Sequence, residues 1–268
     1  MAVKLCVAGV TGWTGSAVAR AVLASTDFDL VGAVARRAAG TDVGSALGQD
    51  PVGVSIVATV AEALEADCDV LIDYTHPSAV KANVETAIAR GVCCVIGTSG
   101  LTADDYADID RKARDGGVGV IAAGNFSLTA ALGKHFAGIA ARHIPHWEII
   151  DYSHGSKPDV PSGTANELAD FLGDVAKNEI LHPIDEILGP REARGASIGG
   201  TQVHSVRLPS FTLSFETIFG LPNERLSIRH DAGSGAEPYV NGTLLAAGRA
   251  SATTGVVRGL DTLLFADA

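Results

Sequence analysis

Three glycines at equal spacing constrain this chain more than any other feature. They stand in Gly9-Val10-Thr11-Gly12-Trp13-Thr14-Gly15, after a short apolar strand (Lys4 to Gly9) and before an Ala- and Val-rich helix (Ser16 to Leu23). Glycine permits a tight turn and lets the backbone come close to a bulky anion, whose charge is met by N–H groups at the helix start. The spacing is G-x-x-G-x-x-G and departs from the commoner G-x-G-x-x-G. Its position inside a strand–loop–helix unit gives it weight.

The same alternation continues downstream. Apolar strands are expected at Leu30 to Ala35, Val70 to Asp73, Val92 to Gly97 and Val118 to Ala123. Between them lie helices from Pro77 to Arg90 and from Thr102 to Ala113. Continuous apolar strands alternating with helices imply a parallel sheet covered on both faces. After Asn125 the pattern changes to a helix (Leu128 to Ala141), a strand (Trp147 to Ser153), a polar loop and a helix (Gly163 to Lys177).

Three runs of period two follow. The first is Gln202 to Leu208. The second sets Phe211, Leu213 and Phe215 against Thr212, Ser214 and Glu216, and the third sets Leu226, Ile228 and His230 against Ser227, Arg229 and Asp231. One wet face per strand marks an open, mixed or antiparallel sheet. A last helix, starting near Pro238, is expected to pack back on the first domain. The fold class is therefore α/β. A Rossmann domain at 1–125, completed by about 239–268, is joined to an α+β substrate domain at 126–238 with a mixed or antiparallel sheet.

Charge narrows the partners. With 20 basic and 31 acidic residues the chain carries −11, which argues against nucleic acid and anionic membrane surfaces. A small anionic substrate would need a local positive pocket. The first apolar run, Val3 to Val10, is too short for a signal segment, and no stretch is long enough to span a bilayer. Cys6, Cys68, Cys93 and Cys94 lack metal spacing and read as reduced core residues, so a cytoplasmic location is expected. His143 and His146 have H-x-x-H spacing, but Pro145 intervenes and no acidic third ligand is evident. No metal is expected.

The second strand ends Ala33-Val34-Ala35-Arg36-Arg37. An acidic residue here would bind the ribose hydroxyls of NAD. Two arginines instead suit a 2′-phosphate, which favours NADPH with NADH possible. The alternative is that Arg36 and Arg37 are solvated surface.

Further segments sit at strand ends or in the polar loop: Asp73-Tyr74-Thr75-His76-Pro77, Gly97-Thr98-Ser99-Gly100, Ala123-Gly124-Asn125-Phe126-Ser127, and Lys157-Pro158-Asp159-Val160-Pro161-Ser162-Gly163-Thr164-Ala165. With the glycine loop, Gly199 to Leu208, and Ile228 to Asp231, they resemble the dihydrodipicolinate reductase family of lysine and diaminopimelate biosynthesis. The resemblance implies hydride transfer from NAD(P)H to a cyclic unsaturated dicarboxylate, and a homotetramer built through the substrate-domain sheet. It implies that Thr75, Gly97, Thr98, Ser99, Ala123, Gly124, Asn125 and Phe126 lie on the cofactor side. Lys157 and the Gly163-Thr164 backbone would hold the substrate carboxylates. Physical chemistry supports the last point independently: Ser162 is a good N-cap, leaving free N–H groups behind it, and Lys157 supplies positive charge.

One departure bears on mechanism. The family carries two adjacent histidines before this loop, the first a proton donor and the second a substrate contact. Here Ser153 takes the first position and His154 the second. Serine at its ordinary pKa is no general acid near neutral pH. Three routes stay open: His154 donates the proton, Lys157 or water does, or the substrate is an imine that arrives protonated. Lys157, His154 and Ser153 are the catalytic candidates. The alternative functions are an imine reductase acting on a different cyclic imine and a catalytically silent NADP-binding protein.

Overall fold

The computed structural model describes residues 2–265. The chain forms two compact units: the first runs to Leu128 and resumes at Ala236, and the second is Thr129–Gly235.

The first unit opens with β1 (Val3–Ala8), α1 (Trp13–Leu23), β2 (Phe28–Val34), α2 (Val43–Ala46), β3 (Ile56–Val57) and α3 (Val60–Ala63). It continues through β4 (Val70–Asp73), α4 (Pro77–Ile88), β5 (Cys93–Ile96), α5 (Ala103–Gly116) and β6 (Gly119–Ala122). Every residue of β4, β5 and β6 is buried, as strands covered by helices on both faces must be. Local chemistry sets the helix ends. Thr102 and Asp105 form a reciprocal capping box at the start of α5, and Gly117, at φ +65°, closes it. α1 begins at Trp13, three residues before its expected start, because Gly12 and not a polar side chain opens it.

In the second unit come α6 (Leu128–Ala141), β7 (Trp147–Ser153), α7 (Gly163–Val175), β8 (Ala196–Ile198), β9 (Thr201–Arg207), β10 (Leu213–Leu221) and β11 (Glu224–Ala232). The chain then returns to the first unit with α8 (Glu237–Ala250), β12 (Gly255–Arg258) and α9 (Leu260–Leu264). Positions 1 and 266–268 of the expected domain limits lie outside the described residues.

The first sheet has the order β12-β6-β5-β4-β1-β2-β3, and every pairing is parallel. It is a Rossmann sheet with one added strand. The order in which strands are added reverses between β1 and β4, the position where open α/β sheets bind ligands. The seventh strand, β12, has no counterpart in the sequence expectations, which foresaw only a closing helix. Four residues following a glycine turn are too few to show a period, and the strand exists because β6 offers it an edge.

The second sheet has the order β11-β10-β7-β9-β8, with β7 and β9 parallel and the other neighbours antiparallel. Along β7, Trp147, Ile149, Asp151 and Ser153 are buried, alternating with half-buried Glu148, Ile150 and Tyr152. α6 and α7 cover the buried face, where Ala137, Leu168 and Leu172 pack on Trp147, Ile149, Phe215 and Phe219. Two expectations are corrected. Phe211 precedes β10 and stacks on Tyr152 at 4.9 Å, and Leu226 stays exposed because β11 is an edge strand beyond the reach of the covering helices.

Candidate active site

In the first unit, the strand ends around the reversal point form one connected cluster. Gly9 adopts φ +84°, and a Cβ there would lie 2.1 Å from the Tyr74 carbonyl oxygen. A Cβ on Gly15 would lie 2.1 Å from the Gly9 carbonyl oxygen. Neither position admits any other residue. The N–H groups of Gly9 and Val10 both donate to the Val34 carbonyl, and that of Gly12 to Gly9. These three amides are consumed by the loop itself, and Val10 is fully buried.

At the start of α1 the situation is the opposite. Gly12 caps the helix without any side-chain hydrogen bond, so nothing from the chain covers the amides of Trp13 and Thr14. Thr11, Gly12 and Trp13 are exposed and Thr14 is half-buried. Trp13 packs its ring edge on Tyr239 of α8, 5.6 Å away. These features fit a pyrophosphate.

Arg36 and Arg37 follow the end of β2 in a short 3-10 turn. Both are exposed, and their side chains make no ion pair or hydrogen bond among the described residues. A pair of unspent guanidinium groups in an acidic protein suits a phosphate dianion.

The loops after β4 and β5 are tied by a carboxylate that sequence reading did not single out for this role. Asp73 is fully buried. Its Oδ1 accepts from Thr75 Oγ1 (2.7 Å), Thr75 N (3.0 Å) and Thr98 Oγ1 (2.7 Å), and its Oδ2 accepts from Asn83 Nδ2 (2.8 Å). A buried charge persists only when its lone pairs are met, and here four donors meet it. Thr75 and Thr98 are thereby fixed in place, with Ser99 exposed just beyond them.

Gly97 has a packing reason of its own, since a Cβ there would strike the Tyr74 ring at 2.0 Å. Tyr74 is anchored by its hydroxyl to Thr243 Oγ1 at 2.6 Å, and burial pushes its phenol well above the ordinary value. After β6, Ala123 is buried, Gly124 exposed, and Asn125 Oδ1 accepts from Ser127 N at 2.8 Å. The Nδ2 of Asn125 is buried without a partner, and Phe126 is fully buried against the edge of Tyr74. The Phe126 side chain is thus part of the core. His76 caps α4, its Nδ1 accepting from Ser78 N.

In the second unit, the polar loop between β7 and α7 is organised by another buried carboxylate. Asp151 has no exposed surface, and it accepts from Ser162 N (2.8 Å), Ser162 Oγ (2.7 Å), Ser205 Oγ (3.1 Å) and Arg207 Nη2 (2.8 Å). Ser162 in turn caps α7, accepting from Ala165 N. Gly163 lies exposed at the helix start, where a Cβ would meet nothing within 4 Å, and Thr164 is half-buried beside it. Lys157 is half-buried, its Nζ 2.7 Å from Asp159 Oδ1. The signal for Asp151 lay in period two, which sets an acid on the same face as Trp147 and Ile149.

The candidate proton carriers separate. Ser153 is fully buried and its hydroxyl has no partner. Period two turns it inward with Asp151. His154 is exposed, and its Nδ1 accepts from Ser156 N (3.2 Å) and lies 2.7 Å from Ser156 Oγ. Accepting at Nδ1 places the proton of a neutral ring on Nε2, which can then donate a hydrogen bond; proton transfer from this side chain would require the imidazolium form. His146 donates from Nδ1 to the Glu179 carbonyl, and His204 Nε2 lies 2.7 Å from Glu148.

Comparison with known proteins follows this division. The profile of the dihydrodipicolinate reductase N-terminus matches residues 3–126, and that of the C-terminus matches residues 127–264. The chain belongs to the dihydrodipicolinate reductase family. It is 38% identical over 264 residues to the 4-hydroxy-tetrahydrodipicolinate reductase of Desulfitobacterium hafniense (strain DSM 10664 / DCB-2), covering 98% of each chain. To the enzyme of the same name from Moorella thermoacetica it is 39% identical over 263 residues, again with 98% of each covered. The dipicolinate-bound dihydrodipicolinate reductase from Paenisporosarcina sp. TG-14 superposes with a TM-score of 0.82 at 27% identity, over 98% of this chain and 100% of that one. Family membership makes the chain an NAD(P)H-dependent oxidoreductase. No helix among the described residues is long and apolar enough to cross a membrane.

Proposed function

We propose that this chain reduces 4-hydroxy-tetrahydrodipicolinate in lysine and diaminopimelate biosynthesis, with NADPH preferred over NADH. One observation carries the substrate assignment. A net charge of −11 would repel a dicarboxylate, yet the loop from Lys157 to Thr164 offers the Lys157 ammonium and the helix-start amides behind Ser162, which Asp151 holds in place. Lys157, Gly163 and Thr164 grip a carboxylate, and Ser162 aligns the amides from behind. Fixed positive groups of this kind act by orienting the substrate and by stabilising negative charge that develops on it.

The bound nicotinamide supplies the hydride. Its pyrophosphate is met by the amides after Gly12, and its 2′-phosphate by Arg36 and Arg37. Thr75, Thr98, Ser99, Gly124 and Asn125 line the reactive end of that site. His154, exposed beside the loop, is the group suited to supply the proton that completes the reduction, which it would give up as imidazolium to become a neutral ring.

A second reading, reduction of another cyclic imine, is favoured by the burial of Ser153, which takes the position of the family's proton donor. An imine that arrives as iminium needs no donor. Purified protein with NADPH separates the two. Oxidation of cofactor with the lysine-pathway substrate supports the first reading, and oxidation with simple cyclic imines alone supports the second. Cofactor binding without turnover on either would indicate a silent binding protein. We further propose a homotetramer, as the family resemblance implies, to be checked by light scattering in solution.

A further inference from the structure

The carboxylate-gripping groups of the second unit already hold a carboxylate, and it is the protein's own. Lys157 Nζ lies 2.7 Å from Asp159 Oδ1. The Asp159 carboxyl is held below the ordinary carboxylate range. Its partial burial works to raise it, but the contact with Lys157 outweighs that. Lys157 is the charged donor assigned above to the substrate. The backbone at this point is pinned, since Arg207 Nη2 donates to the Asp159 carbonyl at 2.8 Å while also holding Asp151. The Asp159 side chain is about half exposed, so it can rotate away from Lys157 without disturbing the loop.

We propose that Asp159 is a specificity-determining residue that occupies the substrate's carboxylate site in the free protein and yields Lys157 only to a ligand carboxylate. This rests on the reading of Lys157 and the α7 start as the acid-binding site. The physical consequence is discrimination. A carboxylate replaces the lost ion pair in kind, whereas an uncharged ring displaces Asp159 without return and leaves Lys157 unpaired. The contact also keeps Lys157 oriented before substrate arrives. The cost is affinity: every bound acid must first break a partly exposed ion pair, whose strength of about 0.2–1 kcal/mol corresponds to roughly 1.4- to five-fold in binding.

The test is titration calorimetry of pyridine-2,6-dicarboxylate into the full chain saturated with NADPH. Asp159→Asn, which keeps the shape and removes the charge, is expected to bind the acid about three-fold more tightly, with NADPH affinity unchanged. Asp170→Asn, an exposed acid on α7, controls for general charge and is expected to change nothing. In a crystal of the wild-type complex, the Asp159 carboxylate should have left Lys157. Unchanged or weaker binding by Asp159→Asn overturns the inference, as does equal tightening by Asp170→Asn. So does a bound acid beside an intact Lys157–Asp159 pair. If Lys157→Ala binds the acid as well as wild type, the acid site itself is misassigned and this inference falls with it. If Lys157→Ala weakens binding while Asp159→Asn does not tighten it, the site stands and the role given to Asp159 is wrong.

Discussion

Arg207 Nη2 donates to Asp151 Oδ2 at 2.8 Å, and the pair is buried at the edge of the loop that carries Lys157. The acid caps the cap. Asp151 holds both the amide and the hydroxyl of Ser162, so the start of α7 is fixed from inside the unit while its free amides face outward.

Arg207→Ala would strand the Asp151 carboxylate in the interior. Breaking one partner of a buried pair costs about 3–5 kcal/mol. For a chain of this size the expected fall in Tm is on the order of 10 °C by differential scanning calorimetry. A change under a degree or two would mean that the other donors to Asp151 suffice without the arginine.

Lys157→Ala removes the one ammonium of the acid-binding loop. We expect kcat/KM to fall by roughly 100-fold, the scale seen when one charge-stabilising donor is lost, with the Kd for NADPH unchanged. Steady-state kinetics beside a fluorescence titration of the cofactor checks both halves. Near-normal turnover would remove Lys157 from the site.

Arg36→Ala should raise the KM for NADPH by about ten-fold and leave that for NADH nearly unchanged, as expected for loss of one charge-assisted contact to the 2′-phosphate. Equal effects on the two cofactors would return Arg36 to the bulk surface. Arg37→Ala tests whether the second arginine shares the contact.

His230 supplies a pH signature. Burial lowers its pKa below the ordinary imidazole value, with Asp231 opposing weakly, and its Nε2 has no partner. The unfolded chain therefore takes up a proton near pH 6.5 that the folded chain refuses. Stability is full above that value and declines as pH falls toward the folded pKa, because the unfolded state binds more protons there. Chemical denaturation at pH 7 and pH 5.5 should show a loss that His230→Gln reduces. An identical loss in the variant would assign the pH dependence to other groups.

Much of this was legible in the residue order. The turn at Gly9, the caps at Thr102 and Ser162, and the strand limits of β4 and β7 follow from backbone geometry and period two, which act over a few residues. The family resemblance rested on local runs for the same reason. Asp73 and Asp151 were visible as residues but not as hubs. Their partners, Asn83 and Thr98 for one and Ser205 and Arg207 for the other, come from distant segments.

Local stereochemistry, then, determined the Rossmann alternation, the glycine loop and the Ser162 cap, since each depends only on neighbours in sequence. Tertiary structure decided that β12 joins the parallel sheet, that Ser205 and Arg207 reach Asp151, and that Asp159 holds Lys157. Those outcomes depend on which unpaired edges, buried donors and free charges meet once the chain has closed on itself, and no local pattern encodes the meeting.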